Sequence, residues 1–245
     1  MKRIFITVKE KWPEYLLEIL VLIIGIYGAF AVDNWNENQK TQADEQELIS
    51  NLKTDFELRL NELIELNEGR KAAIKAIDKI ILNINAQQLI QPAAQFDSLM
   101  SFLYIAYSFN DEFSSLDMLF TSGKIDDLSN TELKKLLILW PWMVEEMLEE
   151  QRAILDIVES QTGLISKYSV INNHFKYFKF RDYKLQNSLN GDIFSSDYQG
   201  ILSDREFANI LTRKRAYLSV NLMDGEKIIT LAKEIIQTLN EETLE

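Results

Sequence analysis

A single carboxylate, Glu18, directly precedes an uncharged apolar stretch that runs from Ile19 to Val32. A charged side chain is costly to place inside a bilayer, so such a residue is by default a candidate functional group. Three roles fit it. A protonated Glu18 could donate a hydrogen bond to a neighbouring helix, an ionised one could extend to the lipid headgroups, or the group could couple protons or ions to a partner machine. The sequence favours the first role and leaves the other two open.

Small residues share a helical face with this acid. With about 3.6 residues per turn, Glu18 lies on the same face as Leu22, Gly25, Ala29 and Val32. Gly25 and Ala29 form a small-xxx-small pair, which lets two helix backbones approach closely. We therefore expect this helix-packing face to contact a second copy of the chain or a partner membrane protein.

The remaining polar clusters do not indicate a reaction. His174 is the only histidine and there is no cysteine, which excludes a His-rich metal site, a zinc–thiolate site and a thiol nucleophile. The sequence shows no nucleophile–base arrangement and no glycine-rich phosphate loop. We therefore expect no catalytic, cofactor-binding or metal-binding residues, and no enzyme activity.

Two charged segments have a structural interpretation beside a functional one. Aromatic and cationic residues alternate over residues 174–181, which fits contact with an anionic headgroup surface or a partner. The favoured alternative is an irregular segment whose rings pack inward while its cations stay in water. A group of four acids could indicate a divalent-cation site, but a solvated helix face is the favoured interpretation. These acids are Glu145, Glu146, Glu149 and Glu150.

Composition narrows the class of protein. The 245 residues carry a formal net charge of −12, whereas a nucleic-acid-binding surface needs a basic face. Only eight glycines and three prolines interrupt a chain rich in Leu, Ile, Glu and Lys. Few helix breakers favour long helices over strands and turns. The sequence therefore predicts an all-α protein that does not bind nucleic acid.

Two tryptophans, Trp12 and Trp35, flank the apolar stretch. On a helix they lie about 34 Å apart, close to the ~30 Å hydrocarbon core plus part of each interface. Indole rings prefer the membrane–water interface, so the pair is typical of interface anchors. Pro13 fits the first turn of such a helix. Residues 15–35 are therefore predicted to span a lipid bilayer once.

The charges on the two sides of the span predict its orientation. Four cations occur among the first eleven residues, whereas acids dominate the segment after the span. By the positive-inside rule, residues 1–14 form a cytoplasmic tail and residues 36–245 form an extracytoplasmic, periplasmic domain. A cleaved signal peptide is the alternative interpretation. Glu18 counts against it, because the acid would interrupt the apolar core of such a peptide.

The helix is predicted to continue beyond the membrane as far as the Gln91-Pro92 pair. Apolar residues there follow alternating three- and four-residue steps, a heptad pattern typical of a coiled-coil seam. Additional apolar positions widen the stripe, which suits a multi-helix core. The seam comprises Ile49, Leu52, Phe56, Leu63, Leu66, Ala73, Ile77, Ile80 and Ile84, with Arg59 and Arg70 completing the series.

Further helices are predicted along the chain, so that the domain is a bundle of long antiparallel helices. Residues 169–200 show no clear period. Burial is expected at Leu63, Ile77, Met147 and Ile236, each of which lies on a periodic apolar stripe. The predicted elements are a helix over 96–107, a short helix ending at Ser122-Gly123, a long helix capped by Ser129 or Asn130, and a last long helix capped by Ser203 with Ile229 and Ile236 facing inward.

The anchor and its flank resemble a family of single-pass membrane proteins common in Bacteroidota. The family's hallmarks are a Glu early in the span, a glycine near its middle and Asn-Trp-Asn-Glu just outside, which are Glu18, Gly25 and residues 34–37 here. Residues 119–128 and the last helix, with the run Arg213-Lys214-Arg215, are similar too. The resemblance implies an inner-membrane location. It implies no activity, because the family has none assigned.

These observations favour a membrane-tethered helical scaffold or accessory subunit that oligomerises or docks an envelope complex. Two other classes of function stay open. The domain could be a sensory or ligand-binding bundle that signals through a partner, or the chain could be a subunit of an ion-coupled machine that uses Glu18. The helix-packing face and the heptad seam favour the scaffold.

Overall fold

The computed structural model of the chain describes residues 2–84, 86, 88–180, 183–184 and 194–242. The chain divides into two units, Met1–Asn51 and Leu52–Glu245. Helix α1, Lys2–Ile81, contributes residues to both units.

The first unit is a single stretch of helix. It begins at Lys2, so Pro13 lies inside the helix and not in its first turn, where the sequence placed it. Every described side chain from Leu16 to Glu37 is exposed. Among the described helices, α1 is long and apolar enough to cross a membrane. This unit therefore offers an apolar helix without any core of its own along that stretch.

Within the described residues of the second unit, the regular structure is helical apart from one hairpin of two two-residue strands, which confirms the all-α class. Three long helices, α1, α4 and α7, form its body, and short elements connect them. After α1 come α2 (Ala93–Met100), a 3-10 helix (Ser101–Tyr104), α3 (Ser114–Thr121), a second 3-10 helix (Lys124–Asp127), α4 (Thr131–Tyr168), α5 (Ile171–Phe175), the antiparallel pair β1 (Lys179–Phe180) and β2 (Tyr183–Lys184), α6 (Tyr198–Leu202) and α7 (Arg205–Glu242).

Helix α7 runs antiparallel to α4. Asn130, at the start of α4, donates a hydrogen bond from Nδ2 to Glu242 at the end of α7, over 2.5 Å. Asn221, near the middle of α7, donates to the carbonyl of Met147 over 2.8 Å. These two contacts fix the direction and the register of the pair.

Helix α7 is also antiparallel to the second-unit part of α1. Arg215 Nε lies 2.5 Å from Asp78 Oδ1, and Lys71 Nζ lies 3.6 Å from Glu226 Oε1. Exposed ion pairs of this kind contribute little stability, so these two pairs indicate the register of the helices and do little to stabilise it.

The core follows the predicted stripe on α1. On α4 the prediction is right in part, because Leu136, Met143 and Val158, which the sequence period places inward, are half-buried, and Leu137, Val144 and Ile157 are buried instead. Leu63, Ile77 and Met147 are buried as predicted. The prediction for Ile236 is wrong, because that side chain is only half-buried, and Ile229 is half-buried as well. At these two positions the neighbouring Ile228 and Ile235 are buried instead. The other residues of the predicted α7 stripe are buried, namely Phe207, Leu211, Leu218, Ala232 and Leu239, and Leu231 completes this face.

Helix α1 ends at Ile81, ten residues before the Gln91-Pro92 pair at which the sequence predicted its end. The side chain of Asn83 accounts for the difference. Its Nδ2 donates to the carbonyl of Lys79 over 2.8 Å, and its Oδ1 accepts the backbone N–H of Ile90 over 2.9 Å. Asn83 thus closes the helix end and holds the returning loop against it.

The caps are partly as predicted. Asn130 Oδ1 accepts the backbone N–H groups of residues 132 and 133, and Gly123 adopts the left-handed conformation with φ 74°. The cap of α7 is Asp204 and not Ser203, since Asp204 Oδ1 accepts the N–H of Glu206 over 2.7 Å. The predicted helix over 96–107 instead divides into α2, a 3-10 turn and extended backbone from Ile105 onward.

Candidate functional site

The helix-packing face of the first unit is open. Glu18, Leu22, Gly25 and Ala29 all have exposed side chains, and successive 100° rotations place them within an arc of about 60°. A Cβ added to Gly25 would meet no atom within 4 Å. A second helix therefore meets no obstruction on this face.

The predicted interface anchors are exposed as well. Trp12 is 58% exposed and Trp35 is 63% exposed. Tryptophans of soluble proteins are highly buried on average, whereas interfacial tryptophans keep the indole between apolar and aqueous surroundings. Both rings are therefore accessible to the membrane–water interface at which the sequence predicts them to lie.

The second unit contains buried polar groups that the sequence did not single out as a site. One layer is centred on Arg70, which is fully buried between α1, α4 and the segment after the first 3-10 helix. Its guanidinium donates to Asn67 Oδ1 over 2.7 Å and to the carbonyl of Tyr107 over 3.0 Å, and it lies 3.7 Å from the sulfur of Met147. Burial lowers the pKa of Arg70 to about 10.

A second layer is centred on Lys214 of α7, which is also fully buried. Its ammonium donates to the carbonyls of Leu103 and Ile105 at the end of the 3-10 helix. Gln161 of α4 donates to the same Leu103 carbonyl. Burial lowers the pKa of Lys214 to about 7. The layer therefore ties α4 and α7 to one short turn of backbone.

A third layer is centred on His174 of α5. Its Nδ1 lies 3.0 Å from the hydroxyl of Tyr104, and its Nε2 lies 3.5 Å from Asp97 Oδ1. Tyr198 donates its hydroxyl to the same Asp97 carboxylate over 3.0 and 3.1 Å. Burial lowers the pKa of His174 to about 4, so the imidazole is neutral at physiological pH.

These layers are poorly placed to do chemistry on a substrate. A carboxylate beside a histidine occurs in many acid–base sites, but the His174 side chain is 0% exposed, so no reactant can reach it. Buried polar groups that are hydrogen-bonded restrict which helix registers are possible. We infer that the three layers specify how the helices of the second unit pair.

The two charged segments from the sequence have separate outcomes. Glu145, Glu146 and Glu149 are exposed as predicted, whereas Glu150 is half-buried. In the segment 174–181, His174 is buried and Lys176 is exposed, while the side chains of residues 179–181 lie outside the described residues. Within the described part of the chain, no group of three or more His, Asp and Glu side chains is arranged to hold a metal ion.

Comparison of the chain with protein-family models, with curated proteins and with solved structures found no match.

Proposed function

We propose that the chain is a membrane-tethered helical scaffold or accessory subunit, which associates through its anchor and presents its second unit to an envelope complex. One observation carries the proposal. The apolar side chains from Leu16 to Val32 are all exposed, and a helix this apolar, with Glu18 as its one charged residue, is stable only within a bilayer or against other helices.

The same proposal includes location and orientation. The cations before the span and the acids after it support an N-terminus in the cytoplasm and a second unit in the periplasm. The resemblance of the anchor to the Bacteroidota family supports the inner membrane. Polar layers that are buried and closed to substrates favour a structural role for the second unit over a catalytic one.

Within the anchor, we propose that Gly25 and Ala29 form the contact between copies. Helices in lipid associate by close packing of small residues, and a hydrogen bond from Glu18 would add about 0.6–2 kcal/mol. Glu18 would then assist the contact without dominating it. The open space around Gly25 supports this assignment.

Cysteine crosslinking tests the contact, because the native chain has no thiol to compete. Single cysteines at positions 25 and 29 are compared with cysteines at positions 23 and 27, on the other side of the same helix turns. Disulfide dimers should form in native membranes at 25 and 29 and not at 23 and 27. Dimers only at 23 and 27, or at none of the four positions, would contradict self-association through this face.

A further inference from the structure

One solvent-facing turn of α4 is apolar. Trp142 is 63% exposed, Ile138 53% and Leu139 40%, and spacings of three and four residues place the three side chains side by side. A single exposed apolar residue is ordinary, but a contiguous group that includes tryptophan is typical of an interaction surface. We name these three residues the α4 patch.

The same face of α4 continues as an acidic surface. Glu146 and Glu149 are exposed, and within the described residues neither has an ion-pair partner. Glu145 differs, because Arg152 lies 2.8 Å from it. The α4 patch is therefore followed, one to two helical turns further on, by two carboxylates that form no ion pair in the described part of the chain and interact with Lys227 and Arg152 only at longer range.

Glu150, a half-buried carboxylate, lies close to this acidic surface. One of its carboxylate oxygens is buried without a hydrogen-bond partner. Its pKa is raised, first by burial and then by the carboxylates of Asp224, Glu149 and Glu146. On α7, Lys227 forms an ion pair with Asp224 over 2.7 Å and interacts more weakly with Glu146 and Glu150. Additional positive charge would be accommodated here.

Charge selects the class of occupant. An anionic membrane surface attracts cations and is repelled by Glu146 and Glu149. A symmetric contact between two copies of this face would add a second set of carboxylates and would supply no cation to pair with them, which is unfavourable. A partner that combines an apolar stripe with cations satisfies both halves of the surface.

We propose that the α4 patch and its acidic continuation form a docking surface for a basic amphipathic helix of another protein. The apolar stripe of that helix covers Trp142, and its Lys or Arg side chains reach Glu146 and Glu149. Trp142 and Glu149 are about 10 Å apart along α4, which matches two turns of a helix lying alongside it. The inference deepens the proposed function and rests on it, since it names the partner chemistry of the scaffold.

The test uses the full chain in nanodiscs of zwitterionic lipid. The probe is a fluorescent 20-residue peptide designed with a leucine stripe and lysines on its polar face. Binding is measured by fluorescence anisotropy, with empty nanodiscs as the control for lipid binding. We expect the peptide to bind the native full chain saturably. Its affinity should be at least tenfold lower for Trp142→Ala and for the double variant Glu146→Lys/Glu149→Lys. A peptide with glutamates in place of the lysines should not bind.

Matched control variants test whether the basic peptide is simply attracted to an acidic protein. Leu58→Ala removes another exposed apolar side chain, and Glu57→Lys/Glu65→Lys changes the net charge by the same amount on exposed positions of α1. Both should bind the peptide as the native chain does. Equal weakening by the α1 and α4 charge variants, or no effect of Trp142→Ala, would overturn the proposal.

A photo-crosslinking residue at position 135, which is exposed on the same face of α4 and leaves Trp142 intact, distinguishes a second copy as the occupant. With the purified protein in nanodiscs, we expect a crosslink to the peptide and none between copies. An adduct of twice the chain mass would overturn the assignment to another protein. Anchor crosslinking at positions 25 and 29 is read separately, so failure of this proposal and failure of the proposed function are distinguishable.

Discussion

Gly225 marks the closest approach of α7 to the buried Arg70 layer. A Cβ at this position would meet Asn67 Oδ1, and would lie 2.9 Å from an Arg70 guanidinium nitrogen. Neither neighbour can move freely, because Arg70 is held by the carbonyl of Tyr107 over 3.0 Å and bonds to Asn67 over 2.7 Å. Gly225→Ala should therefore break a buried hydrogen bond or force the helices apart.

The magnitude follows from three effects. Overpacking costs about 1–3 kcal/mol, and leaving a buried polar group without its partner costs about 1–3 kcal/mol. Replacing glycine by alanine within a helix stabilises the helix by about 1 kcal/mol. Because the first two costs describe the same displacement and do not fully add, we expect a net loss of about 2 kcal/mol in the free energy of unfolding.

Gly163→Ala is the matched control. Gly163 lies in α4, is exposed, and a Cβ there would meet no atom within 4 Å. The helix preference of alanine should stabilise this variant by about 0.5–1 kcal/mol. Both variants are unfolded in urea as full chains in detergent, and far-UV circular dichroism follows the transition. If Gly225→Ala is as stable as Gly163→Ala, the close approach of α7 to Arg70 is wrong.

Three further predictions concern ionisable groups and the anchor. Burial lowers the pKa of His174 from 6.5 to about 4, so the unfolded chain binds the proton more tightly than the folded chain does. The free energy of unfolding should therefore fall by up to about 3 kcal/mol as the pH decreases from 6.5 to 4. In urea unfolding measured at several pH values, His174→Gln should not show this loss. Burial lowers the pKa of Lys214 from 10.5 to about 7. The free energy of unfolding should therefore rise between pH 7 and 10.5, by up to about 5 kcal/mol relative to Lys214→Met. The same pH dependence in the two proteins would contradict the burial of Lys214. In crosslinked membranes, Gly25→Leu should reduce oligomers more than Glu18→Gln does, because bulk blocks the helix contact whereas glutamine still forms hydrogen bonds; the reverse order would favour a dominant role for the acid.

Local signals in the sequence were sufficient for several features of the fold. The Asn130 cap and the left-handed Gly123 are each determined by a few neighbouring residues, and both are present. The heptad seam of α1 was readable because its apolar positions stand alone among polar ones. Arg70 lies on that seam in the sequence, and it is buried in the structure.

Other features depend on residues distant in the chain. The end of α1 is determined by Asn83 bonding to the loop near Ile90, which no helix propensity encodes. Paired isoleucines make the α7 face ambiguous, because a step of 3.6 residues fits 228 and 235 as well as 229 and 236. Packing against α1 and α4 selects the former pair.

The buried layers were the least accessible to sequence reasoning. Lys214 is one of three consecutive cations, and composition does not tell which of them faces inward. Its position offered a signal, because Leu211 and Leu218 lie three residues before and four residues after it on the buried stripe. His174 was recognised only as the single histidine. Its partners come from α2 and the 3-10 helix, about 70 residues earlier in the chain.

The central claim is that α1 anchors the chain in a membrane with the second unit outside the cytoplasm. Two reporter fusions after Glu245 test it in bacterial cells, one enzyme active only outside the cytoplasm and one active only inside. Deletion of residues 15–35 is the matched control. We predict that only the outside reporter is active and that the protein stays in the membrane during alkaline carbonate extraction. The deletion should abolish both the outside activity and the retention in the membrane. Activity of the cytoplasmic reporter in the full chain, or release of the full chain by carbonate, would contradict the account.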